Sequence, residues 1–70
     1  MTNNKIKNVF RVRLRQKLDE FGWNQTDLAE AMGWQPSYVS HLMTGHRAPG
    51  LDTLEKLAEV LEVKPAWLIS

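Results

Sequence analysis

The chain has 70 residues, of which 43% are hydrophobic, and nine Lys and Arg against eight Asp and Glu give a formal net charge of +1. That length holds one domain with one packed core and leaves no interior for a deep reaction cleft as well, which argues against an elaborate enzyme. There is no cysteine, which removes disulfides, thiolate nucleophiles and the usual structural zinc sites. With an N-terminus unlike a leader peptide this points to the cytoplasm, and no apolar run is long enough to span a membrane.

The net charge hides an asymmetry. Residues 1–18 hold Lys5, Lys7, Arg11, Arg13, Arg15 and Lys17 with no acid, giving +6, whereas residues 19–70 hold three bases and eight acids, giving −5. A block of this kind is either a solvated helix face or a contact for phosphate or another anionic surface.

In chain order, five helices and no strand are predicted. From Asn8 onward, Phe10, Leu14, Leu18 and Phe21 recur as one helical stripe, with Arg11, Arg13, Arg15 and Lys17 off it, and Gly22 closes the helix. Asn24 is placed to cap a second helix over residues 25–32, with Asp27 in its first turn. Gly33 ends that helix, and Pro36 opens a third that runs to Thr44 before Gly45. A polar loop, residues 46–50, leads to the fourth helix, where Leu51, Leu54, Leu57, Ala58 and Leu61 form the apolar stripe and Asp52, Glu55, Glu59 and Glu62 face water. Pro65 opens a fifth, whose Trp67, Leu68 and Ile69 pack back on the core or meet a partner.

The second and third helices carry the functional signal. Joined only by Gly33-Trp34-Gln35, they must cross steeply as a helix-turn-helix, with Leu28, Ala29, Met32, Val39 and Leu42 inward. Outward from the third helix stand Gln35, Pro36, Ser37, Tyr38, Ser40, His41 and Thr44. An amide, hydroxyls, a phenol and an imidazole, nearly without charge, suit hydrogen bonding to base edges better than solvation.

The run Asn24-Gln25-Thr26-Asp27-Leu28-Ala29-Glu30-Ala31-Met32-Gly33 resembles the Q-x-x-L-A-x-x-x-G core of the Cro and C1-type repressors of lambdoid phages and their bacterial relatives. Val39, Leu42, Gly45, Pro49, Leu54, Leu57-Ala58, Leu61 and Trp67-Leu68 fall at the family's offsets, so the resemblance covers roughly residues 9–69. It implies an all-α, five-helix, lambda-repressor-like domain over residues 8–69, preceded by a flexible basic arm of residues 1–7. The third helix would enter the major groove, with base contacts from Gln35, Pro36, Ser37, Tyr38 and His41. Gln25, Ser40, Thr44, His46 and Arg47 would hold phosphates, with Lys5 and Lys7 on the arm. The partner implied is an operator in double-stranded DNA, bound by a homodimer in the cytoplasm at the nucleoid, with no cofactor, no membrane and no small-molecule ligand evident.

Three positions depart from the family pattern. Pro36 stands where relatives often carry Gln or Arg, Leu18 and Met43 replace a buried Arg–Glu pair, and Glu62 occupies a site that favours Gly. Other readings fit some residues as well. Tyr38 is as readily half-buried packing, and Trp23, Trp34 and Trp67 are more naturally core or turn residues than ligands. His41 and His46 are five apart with no carboxylate beside them, which argues against a metal site, and the serines and histidines lack the acid partner a nucleophile needs. An antitoxin or restriction-control autoregulator would share the fold. A small helical protein-interaction module, docking through Trp67-Leu68-Ile69, is the alternative of a different class.

Overall fold

The computed structural model describes the backbone of residues 2–70 and the side chains of residues 7–70. Its elements are α1 (Thr2–Phe21), α2 (Gln25–Met32), α3 (Pro36–Thr44), α4 (Leu51–Leu61) and α5 (Pro65–Ile69), with no strand among the described residues. The fold is all-α, as the periodicity predicts. No helix is long and apolar enough to cross a membrane among the described residues.

α1 starts earlier than Asn8. Residues 2–7, expected as an arm, form the first turns of the helix, because nothing in Thr-Asn-Asn-Lys-Ile-Lys breaks the backbone ladder as Pro or Gly would. Phe10, Leu14 and Leu18 are buried on the stripe, but Phe21 is 36% exposed. It sits in the last turn of α1, where its ring meets the edge of Trp23 at a centroid distance of 5.2 Å.

α2 is held at its start by a reciprocal cap. The Asn24 Oδ1 accepts from the Asp27 backbone N–H at 2.8 Å, and the Asp27 Oδ2 accepts from the Asn24 N–H at 3.0 Å, which satisfies two donors the helix leaves unpaired. At its other end Gly33 adopts φ 72°, ψ 30°, and the N–H of Trp34 returns to the Ala29 carbonyl at 2.9 Å. This left-handed turn reverses the chain within three residues, and Gln35, extended as a residue before proline must be, starts α3.

Leu28 and Ala29 of α2, Val39 and Leu42 of α3, Leu54, Leu57, Ala58 and Leu61 of α4 and Leu68 of α5 complete one core with the α1 stripe. Leu18 is buried and Met43 packs against the same core, so an apolar contact fills the place of the family's ion pair. Leu51 departs from the expected stripe. It is 80% exposed, because it occupies the first position of α4, a turn ahead of the buried Leu54.

α4 ends at Leu61 with Glu62 in the left-handed region, φ 61° and ψ 44°. The Val63 N–H reaches the Ala58 carbonyl at 2.9 Å, so the helix closes as one capped by glycine does, at a conformational cost of about 1–2 kcal/mol. The chain then turns into α5, which packs back on α1 and α4. Trp67 is half-buried there and Leu68 fully buried.

Candidate nucleic-acid interface

α2 and α3 pack on one another, with α3 also against α1 and α2 also against α4. Inward-facing Val39 and Leu42 fix the rotation of α3 and turn Ser37, His41 and Thr44 to the opposite side, where all three are exposed. Gln35 and Pro36 are exposed at the leading end of the helix, and the Gln35 side chain is not used as a cap. α3 contains no acid and, His41 apart, no titratable side chain but the Tyr38 phenol. The outer face therefore offers an amide, two hydroxyls and an imidazole, with no carboxylate among them.

Tyr38 belongs to the flank of this face. Its hydroxyl lies 3.2 Å from the Thr53 Oγ1 of α4, its ring takes the edge of Trp34 at 5.0 Å, and the Arg47 guanidinium stands 6.0 Å from the ring centre. The phenol is thus occupied by the fold. Ser40, on the other flank, is half-buried.

The end of α3 gathers three of the residues expected at phosphates. The Thr44 Oγ1 lies 2.7 Å from the His46 Nδ1 and donates to the His41 carbonyl at 3.4 Å, while the His41 and His46 rings stand 5.8 Å apart. The Arg47 N–H donates to the His41 carbonyl at 3.3 Å. Residues 44–47 thus wrap over the last turn of the helix, with Gly45 at φ 84° making the bend. Gln25, the first residue of α2, is half-buried at the opposite end of the motif.

The cationic block on α1 does not act as one surface. The Arg13 guanidinium lies 4.7 Å and the Lys17 ammonium 5.5 Å from the Trp67 ring centre, so both bases are laid over α5. Lys17 also donates to Glu20 at 3.0 Å, and this hydrogen bond holds the Glu20 carboxyl below the usual carboxylate range. Arg11 points the other way, donating from Nη1 to the Thr44 carbonyl at 3.3 Å and from Nη2 to the Asn8 Oδ1 at 2.8 Å. The charge count alone missed this division, although the two-residue offset between Arg11 and Arg13 already places them on nearly opposite sides of a helix. Lys7 lies on α1 one turn before Arg11, and the Lys5 side chain lies outside the described residues.

Comparison with known families agrees with this geometry. Residues 14–68 match the helix-turn-helix family of the Cro/C1 type, and the chain belongs to that family. It is a DNA-binding transcription regulator, and its partner is double-stranded DNA. Members of the family are generally not enzymes. Comparison with curated proteins and with solved structures gave no match.

Proposed function

We propose that the protein is a repressor that binds a palindromic operator as a homodimer in the cytoplasm and blocks transcription by covering a promoter. The observation that carries this reading is the outer face of α3, exposed, hydrogen-bonding and free of acid. Gln35, Ser37 and His41 read base edges in the major groove, and Pro36 makes an apolar contact such as that with a thymine methyl. Gln25, Ser40, Thr44, His46 and Arg47 hold phosphates on either side, fixing the register in which α3 enters the groove. Tyr38 supports the flank of the helix through Thr53 and Trp34. Two-fold symmetry places the recognition helices about 34–36 Å apart, one turn of the duplex.

Selection of the chain against random duplex DNA at about 150 mM salt tests this reading, the salt being fixed because phosphate contacts weaken with it. The expected result is a two-fold palindrome with half-sites one helical turn apart. Recovery of a single half-site overturns the dimer, and recovery of no motif overturns sequence-specific repression by this chain alone.

A further inference from the structure

The bases of α1 sort by helical geometry into two groups. Lys7, Arg11 and Arg15 recur at i, i+4 and i+8 on one face, and Arg13 and Lys17 are centred about 140° away. The second group is occupied by Trp67 and Glu20. The first faces α3.

Arg15 lines two clefts of about 220 Å³ each that share Met43 of α3 as a wall. One runs past Trp23 and Asn24 to Gln25 at the start of α2, and the other runs to Arg11. Arg15 is exposed, and among the described residues it forms no ion pair, although Asp19, one turn on, lies on the same cleft. A cation left without its neighbouring carboxylate, beside an amide and an apolar wall, suits an anion with several acceptor oxygens. A planar guanidinium fork fits such an anion better than an ammonium does.

We propose that Arg15 is a ligand for a backbone phosphate of DNA, held in the cleft it shares with Gln25, so that α1 contributes directly to binding although it lies outside the helix-turn-helix. The proposal rests on the DNA-binding reading above and deepens it. Arg15 supplies the charge and Gln25 a neutral donor. The α1 face thereby joins the phosphate contacts at the start of α2 to those at the end of α3, where Arg11 holds the Thr44 carbonyl.

The test measures salt dependence of binding by the full chain to its selected operator and to a random duplex. Arg15→Gln is expected to make the log–log salt slope shallower by about 0.9 per bound subunit and to weaken both duplexes alike, by about five-fold per bound subunit at 150 mM salt. Arg15→Lys is expected to restore most of the slope, and Arg13→Gln to leave it unchanged. If the wild type binds but Arg15→Gln keeps its slope and affinity, or Arg13→Gln loses as much, the Arg15 site is overturned while the DNA-binding reading stands. Failure of the wild type to bind either duplex at about 50 mM salt overturns both.

Discussion

The Arg11 guanidinium on α1 donates to the Thr44 carbonyl at the end of α3, across 33 residues of chain. The same side chain lies against Gly45, whose left-handed φ of 84° makes the bend into the 46–47 loop. A Cβ added at Gly45 would stand 3.3 Å from the Arg11 Cδ. A cation at a helix C-terminus is favourable in its own right, and here it also fixes the turn that presents Thr44 and His46. Gly45→Ala is therefore expected to destabilise the fold by about 1–2 kcal/mol through backbone strain, with crowding against Arg11 added. Arg11→Ala, at an exposed hydrogen bond, is expected to cost about 1 kcal/mol. Urea unfolding of the two variants measures both, and a Gly45→Ala protein as stable as the wild type would refute the strain argument.

The boundaries of α2 and α3 and the inner face of the motif were legible in the sequence because each rests on local chemistry: Asn24 with Asp27, Gly33, Pro36, and the spacing of Leu28, Val39 and Leu42, whereas no local signal marked the start of α1 at Thr2. The orientation of the α3 face followed once those inward residues were placed. What was not legible depends on which helices become neighbours. Leu51 fits the α4 stripe by spacing, yet it stands above the level of the core because it is the first residue of its helix. The Tyr38 hydroxyl is turned to Thr53, a partner 15 residues away that no periodicity reveals. The division of the α1 bases between Trp67 and α3 likewise required the positions of α5 and α3.

If Ser37 and His41 read base edges, their loss must be felt on the operator and not on random DNA. Ser37→Ala and His41→Ala are each expected to cost about 1–3 kcal/mol per half-site on the selected sequence and to relax preference at one position. Gln25→Ala should instead weaken every duplex by a similar factor. Binding isotherms on the two duplexes separate the cases. Equal losses on both for Ser37→Ala and His41→Ala would remove them from the base-reading set.

Glu62 offers a stability test that leaves the DNA face untouched. Its left-handed backbone at the end of α4 is the one non-glycine positive φ among the described residues. Glu62→Gly relieves about 1–2 kcal/mol of strain and returns somewhat less through the greater freedom of glycine in the unfolded chain. The net expectation is a stabilisation of about 0.5–1 kcal/mol with operator affinity unchanged. Thermal unfolding with and without the substitution decides it, and a destabilised Glu62→Gly protein would show that the Glu62 side chain contributes more than its backbone costs.

Trp67 separates the structural from the DNA-binding cations. Half-buried on α5, it carries Arg13 and Lys17 on its ring at 4.7 and 5.5 Å, contacts worth about 0.5–1 kcal/mol each at exposed sites. Trp67→Leu keeps an apolar residue against the core but removes the aromatic face, so a loss of about 1–2 kcal/mol in stability is expected. The freed Arg13 and Lys17 remain on the side of α1 away from α3, and a side chain cannot cross the helix to reach a duplex lying along α3. The salt slope for operator binding should therefore match the wild type while the unfolding midpoint falls. A slope steeper by about one unit in Trp67→Leu would mean that these bases can reach phosphate once released, and that Trp67 holds them back from DNA.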